Sequence, residues 1–330
     1  MGDLSISLYL LLFLILAAEF TNGWTDAPNS IATVVSTRVF SPLVAVIMAA
    51  IFNFLGVLSG TAVAHTIGTE IVDPSVINTT TLASSMVAIV IWSAITAWMG
   101  LPTSETHALV AGLGGAGIAT AGFKVLVWSG WKKVLLGLFF STFLGFTGGI
   151  LLMSVIYRLF QHVSPSKMGR TFHYLQMASA AFMSFSHGSN DGQKFMGIFT
   201  LALVMGNVLP KFAIPLWVMG LCGAVMAIGT LVGGWRILKT MGFRITHLET
   251  PQGFTAELVA ATTIEAASSL GVPLSTTHTI NTAIMGVGAT RRFSAVRWGV
   301  TNRIVSAWFI TFPACGLMGY AVAFLLERLF

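Results

Sequence analysis

Serine and threonine hydroxyls set just behind helix-breaking prolines can hold an oxyanion, and this chain carries that arrangement twice. Pro102-Thr103-Ser104-Glu105-Thr106-His107 is answered by Pro273-Leu274-Ser275-Thr276-Thr277-His278. Unwound chain that opens into a helix presents backbone N–H groups without partners, together with the positive end of a dipole. Hydroxyls of Ser104, Thr106, Ser275, Thr276 and Thr277 added there bind an anion without arginine. The same side chains can also be read as N-caps or as interhelical hydrogen-bonding groups; two matched copies in one chain favour the binding reading. His107 and His278, which close each cluster, either tune the site or carry a proton, or else donate to a nearby carbonyl. Glu105 stands where the second copy has Thr276, and is expected to face water at a pore mouth.

A second pair of segments supplies negative charge. Asn22-Gly23-Trp24-Thr25-Asp26-Ala27-Pro28-Asn29 and His187-Gly188-Ser189-Asn190-Asp191-Gly192-Gln193-Lys194 each set a lone aspartate among amides and small residues in apolar sequence. A carboxylate at membrane depth is costly and by default functional or paired. Asp26 and Asp191 can ligate a cation such as Na⁺ or Mg²⁺ or carry a proton, with Asn22, Asn29 and Asn190 as neighbouring amides. Lys194, three residues after Asp191, is the candidate for a purely structural ion pair. Glu19, Glu257 and Glu265 are further acids in apolar runs. Glu257 and Glu265 share roughly one helical face and belong either to a proton route or to a pair with a base such as Arg303.

The elements that must position these groups also come twice. Asp26 and Asp191 lie 165 positions apart, and Pro102 and Pro273 lie 171 apart. Each proline motif follows a glycine (Gly100, Gly271) and an apolar run of about 20 residues, enough to span a bilayer. Apolar stretches fall near 5–20, 27–37, 42–65, 81–99, 105–121 and 134–157, then near 172–186, 192–206, 211–234, 255–270, 275–289 and 303–326. Tyr157-Arg158-Leu159-Phe160 is echoed by Glu327-Arg328-Leu329-Phe330, and the polar stretch 161–170 is the seam between them. The reading is an all-α polytopic membrane protein of two inverted repeats, 1–165 and 166–330, with broken helices and re-entrant hairpins around one transport unit. The first span begins at Ser5; Asp3 in place of a basic segment argues against a signal peptide. As one helix, Ser5 to Val39 would be about 50 Å long, against a hydrocarbon core of about 30 Å. It must tilt steeply or break, most cheaply at Asn22-Gly23 or Pro28, and the same holds near His187-Gly188 and Gly192.

Composition agrees. Of 330 residues 55% are hydrophobic and 8% charged, with a mean hydropathy of +0.85, so lipid is the solvent and there is room for roughly nine or ten spans. The net charge of +6 is scattered, which excludes nucleic acid and suits basic loops against an anionic inner leaflet. Loop 66–79 carries Glu70 and Asp73 and reads as outside; its counterpart 236–249 carries Arg236, Lys239 and Arg244 and reads as inside. Loops 122–133 and 291–303 are both basic, so the count alone leaves topology open. Cys222 and Cys315, both in apolar runs, supply neither a disulfide framework nor a metal site.

The four motifs, in this order, resemble those of the PiT family of inorganic phosphate transporters, in the version carried by bacterial low-affinity members. The resemblance spans nearly the whole chain. It implies a multi-pass cell-membrane carrier with phosphate between Ser104, Thr106, Ser275, Thr276 and Thr277, and with coupling ions near Asp26, Asn190 and Asp191, Asn22 and Asn29 beside them. Lys194, His107, His278 and Glu265 would tune the charge. No cofactor is implied beyond coupling H⁺ or Na⁺, with a divalent metal–phosphate as an alternative substrate form; a homodimer is left open. Thr25 stands where the family often has Asn or His, and Lys194 where sodium-coupled members carry a second Asn. An ammonium in place of an amide favours proton coupling or a neutral metal–phosphate over several Na⁺. Sulfate permeases share the resemblance. Phosphate can donate a hydrogen bond to an ionised carboxylate and sulfate cannot, so aspartate within reach of the anion favours phosphate. An intramembrane hydrolase built on Ser104–His107 or Ser275–His278 would need duplicate active sites, and a passive anion channel rarely needs buried acids. The sequence therefore reads as a phosphate symporter working by alternating access, not as an enzyme.

Overall fold

The computed structural model describes residues 6–329; the readings placed on Asp3, Ser5 and Phe330 lie outside them. Among the described residues the elements come in one order twice. The first set is α1 (Ile6–Ser36), α2 (Pro42–Val57), α3 (Ala62–Thr69), α4 (Thr79–Met99), α5 (Glu105–Ala121) and α6 (Trp128–Leu159). The second is α7 (Pro165–Met205), α8 (Leu216–Val232), α9 (Trp235–Lys239, continued by a π turn to Arg244), α10 (Thr250–Ser269), α11 (Thr276–Ala289) and α12 (Trp298–Leu329).

Four of these helices, α1, α4, α6 and α12, are long and apolar enough to cross a membrane. Counting α2 with α3 and α8 with α9 as bent spans, with bends of 72° and 59°, brings the total to six. This falls below nine or ten because α5 and α11, of 17 and 14 residues, are short for a span, and α7 and α10 interrupt their apolar runs with polar residues. The stretches 5–20 and 27–37 also fuse into α1, and 172–186 and 192–206 into α7. The breaks expected at Asn22-Gly23 and at His187-Gly188 are not there: α1 runs unbroken for 31 residues with Pro28 inside it, and α7 for 41. Packing gives the reason. A Cβ on Gly23 would run into the Met226 carbonyl of α8, and one on Gly188 into the Asn53 carbonyl of α2. These glycines let helices touch, as small residues do in membranes where apolar burial supplies little drive. The helices break instead at α2/α3 and α8/α9.

The hairpins form as expected. α4 stops at Gly100, whose φ of 69° is left-handed, with Gly100 N–H on Ala97 O and Leu101 N–H on Thr96 O. Gly271, at 66°, ends α10 the same way, through Ser268 O and Ala267 O. This is the paired bonding of a glycine-terminated helix. Pro102 and Pro273 then keep the chain unwound until Ser104 and Ser275 cap α5 and α11.

The halves interlock. α1 lies on α8 and α2 on α7, while α5 lies on α12 and α11 on α6. Each hairpin turn is held from the opposite half: Thr66 of α3 donates to Gly271 O, and Thr240 donates to Gly100 O, both at 2.8 Å. Trp308 of α12 donates to Pro102 O at 2.9 Å. Two apolar clusters result. One takes Leu8–Ala18 of α1 and Phe195–Leu203 of α7; the other takes Ile31–Val35 of α1 and Phe172–Met183 of α7. The polar middles of α1 and α7 lie between them.

Candidate functional site

Both proline motifs end in a capped helix. Ser104 Oγ accepts from His107 N–H at 3.3 Å and Ser275 Oγ from His278 N–H at 3.2 Å. The fourth amide of each helix, Ala108 or Thr279, closes the first helical bond on the serine carbonyl. The amides of Glu105 and Thr106, and of Thr276 and Thr277, are thus left outside the helices' own bonding. The serines are N-caps, the plainer of the two sequence readings. A hydroxyl that accepts at a cap still has its own proton to give, so capping and anion binding are compatible.

The two tips meet. Thr106 Oγ1 donates to Leu274 O at 2.8 Å across the interface. Lys194, fully buried on α7, ties the junction together: its ammonium reaches Asp191 Oδ1 at 2.5 Å, Thr106 Oγ1 at 2.5 Å and Leu274 O at 3.2 Å. That uses all three of its protons. Thr276 donates to Asp191 Oδ2 at 3.0 Å, and Thr277 to Asp26 Oδ2 at 3.3 Å. Asn29 Nδ2 reaches the hydroxyls of Thr277 at 2.9 Å and Thr276 at 3.4 Å. Asp26, His187 and Asp191 offer ligand atoms within 4.8 Å of one another, a grouping able to hold a cation. His187 Nε2 stands 3.5 Å from Asp191, and its Nδ1 is 3.1 Å from Asn53 Oδ1.

Of the residues singled out in the sequence, Asp26, Asn29, Asp191, Lys194, Thr106, Thr276 and Thr277 share one network, with Ser104 and Ser275 capping its helices. Asn22 turns instead to Glu19 at 3.4 Å, and Asn190 to Ser268 at 2.9 Å. Glu265 is half-buried on α10 with Ser189 and Ser186 as neighbours, and no ion pair joins Arg303 to Glu257 or Glu265 among the described residues. Glu105 does not face water. It is 2% exposed and accepts from Thr25 Oγ1 of α1 at 3.0 Å, because the α4–α5 hairpin folds back against α1. Among the described residues the rings of His107 and His278 donate to no carbonyl; they meet edge to face at 4.6 Å among aromatic side chains.

Three groups escaped the sequence reading. His187 lay inside a quoted motif, and its four-residue spacing to Asp191 was a usable signal. The Thr25–Glu105 contact, 80 residues apart, left none. Glu257 was noted, but not the Thr33, Gln176 and Ser179 side chains that donate to it.

The sequence profile described as "Phosphate transporter family" matches residues 22–168 and 160–319. A Rhizobium meliloti (strain 1021) protein named "Probable low-affinity inorganic phosphate transporter" is 46% identical over 96% of each chain. A Bacillus subtilis (strain 168) protein of the same name is 38% identical over the full length of both. Among solved structures, one titled "The sodium-dependent phosphate transporter" superposes with a TM-score of 0.92, covering 99% of this chain and 100% of the other at 24% identity; that likeness is one of fold.

Proposed function

Since this chain belongs to the phosphate transporter family, we propose that it is a multi-pass cell-membrane symporter that carries inorganic phosphate inward with protons by alternating access. The observation that carries this reading is the meeting of two capped helix tips beside Asp26 and Asp191, with Lys194 spanning the junction. Free tip amides and the hydroxyls of Ser104 and Ser275 donate to the anion, and the hydroxyls of Thr106, Thr276 and Thr277 turn to it from Leu274 O and the aspartates as it enters. The aspartates within reach of those hydroxyls accept from a protonated phosphate oxygen and repel sulfate, so phosphate is favoured over sulfate.

Coupling follows from charge. Two aspartates against one ammonium leave an excess negative charge where an anion must enter. A proton on Asp26 removes it and lets phosphate dwell there. Lys194 already sits on Asp191 Oδ1 as a fixed cation, which favours a proton over Na⁺ as the coupling ion. The halves 1–165 and 166–330 act as repeats of one transport unit, the hairpin of one moving against that of the other. A second form of substrate is supported by the Asp26–His187–Asp191 grouping, whose spacing suits a divalent cation arriving with phosphate.

Radiolabelled phosphate and sulfate uptake into reconstituted vesicles, with pH and Na⁺ gradients imposed separately, tests the proposal. Uphill phosphate uptake driven by the pH gradient alone is expected. A strict Na⁺ requirement that survives in Lys194→Gln would overturn the coupling assignment, and equal sulfate uptake would overturn the specificity.

A further inference from the structure

Between α6 and α12 lies a cavity of about 770 Å³ that reaches inward to His107 and His278, the residues next to Thr106 and Thr277. Its walls are aromatic and carry no charged side chain. Phe139, Phe143 and Phe309 stand at its mouth, 59%, 51% and 74% exposed on helices whose outer faces are apolar. It therefore opens toward lipid. His107, His278 and Thr301 also line it, each no more than 4% exposed. Both ring nitrogens of His278, Nδ1 of His107 and Oγ1 of Thr301 have no hydrogen-bond partner among the described residues. The hydroxyls of Thr142 and Thr282, by contrast, are spent on carbonyls of their own helices.

Buried polar atoms without partners are unfavourable, so a ligand that supplies one is selected over one that does not. Walls without charge exclude phosphate and the headgroups of phospholipids. A bare alkyl chain would fill the space and leave the imidazoles unsatisfied. Aromatic walls favour a ring in offset or edge-on contact, and the volume lies within the usual range for small-molecule sites. We propose that this cavity binds, from the bilayer, an uncharged aromatic ring bearing a hydrogen-bonding oxygen, a phenol or a quinone. The oxygen pairs with His278, His107 or Thr301, and an apolar tail leaves past Phe139 and Phe309.

The experiment uses the full chain in lipid nanodiscs and para-decylphenol carrying a photoreactive diazirine in its tail. Saturable labelling is expected on α6 and α12 peptides. Unlabelled para-decylphenol or decyl-benzoquinone should displace it at about ten-fold lower mole fraction than decylbenzene, as one net hydrogen bond implies; the two oxygenated competitors rank phenol against quinone. Thr142→Phe, which fills the cavity, should cut labelling about ten-fold while phosphate binding persists. Thr301→Val, a near-isosteric change that tests the site without filling it, should weaken the phenol but not decylbenzene. Equal displacement by decylbenzene, labelling spread over α2 and α4 and unmoved by Thr142→Phe, or exclusion of the label by a second copy of the chain in dimeric nanodiscs would each overturn the proposal. Labelling is read without transport, so its failure is distinct from failure of phosphate uptake.

Discussion

Lys194, fully buried, holds Asp191 to the two helix tips. Its bonds to Asp191, Thr106 and Leu274 link α7 to both hairpins. Removing one partner of a buried ion pair strands the other, which typically costs about 3–5 kcal/mol. Lys194→Gln is therefore expected to lower the midpoint of thermal unfolding in detergent markedly, and an unchanged midpoint would show that Asp191 is neutral or otherwise partnered. Asp26 differs, since among the described residues the hydroxyl of Thr277 is the one side chain that donates to it, at 3.3 Å. Asp26→Asn keeps that geometry while removing the charge that the proposed coupling proton would offset. Gradient-driven uptake is expected to be abolished while phosphate binding weakens less, as measured by uptake and by equilibrium binding on one preparation; equal loss in both would argue against coupling at Asp26. The serine caps act locally, and Ser275→Ala should cost about 1 kcal/mol of stability from the cap in addition to any loss of phosphate affinity.

At the scale of elements, glycine serves two opposite ends here. Gly100 and Gly271 take left-handed φ and end α4 and α10. Gly23 and Gly188 sit in regular helix, where bare backbones touch. Gly23→Ala separates two physical expectations. Helix propensity alone would make it stabilising by about 1 kcal/mol, whereas the clash with the Met226 carbonyl makes it destabilising by about 1–3 kcal/mol. A lower unfolding midpoint is the expected result; a higher one would mean that Gly23 marks a soft point in α1 after all. Motif spacing made the hairpins, the caps and the duplicated order of elements legible. It left α1 and α7 looking breakable, because a glycine's partner across a helix pair is not written in its own segment.

Across the whole molecule, the swapped contacts mean that neither half completes its own surroundings. The turn of each hairpin leans on a threonine of the other half, and each apolar cluster draws on both. Residues 1–163 expressed alone should fail to give a monodisperse membrane protein, and co-expression with 164–330 should restore it; an independently stable first half would contradict the interlock. The fold also sorts the loops into two ends. Glu70 pairs with Lys133 at 2.7 Å, and Val127 N–H bonds to Ile71 O, joining loop 66–79 to loop 122–133. Arg291 pairs with Glu249 and its guanidinium is pushed up by that carboxylate and by Tyr157, while Arg297 N–H bonds to Ile245 O. Arg158, Arg244, Arg291, Arg292 and Arg297 thus gather at the second end against Glu249. By the excess of basic residues, that end is expected to face the cytoplasm. A cysteine at Ser164 should resist an impermeant thiol reagent in intact cells and one at Ser75 should react; the reverse pattern would invert the assignment.

Composition and motif order determined by themselves that this chain lives in lipid, carries its motifs twice over, and presents hydroxyls at helix starts. Those properties are local or additive, so they survive in one dimension. Only the tertiary structure decided that Glu105 is buried against Thr25, that Asn22 and Asn190 look away from the aspartates, and that His107 and His278 line an apolar cavity. Each of those outcomes depends on which helix of the other half fills the space beside the residue. With halves interlocked across about 165 residues of sequence, no short stretch of the chain contains both sides of such a contact.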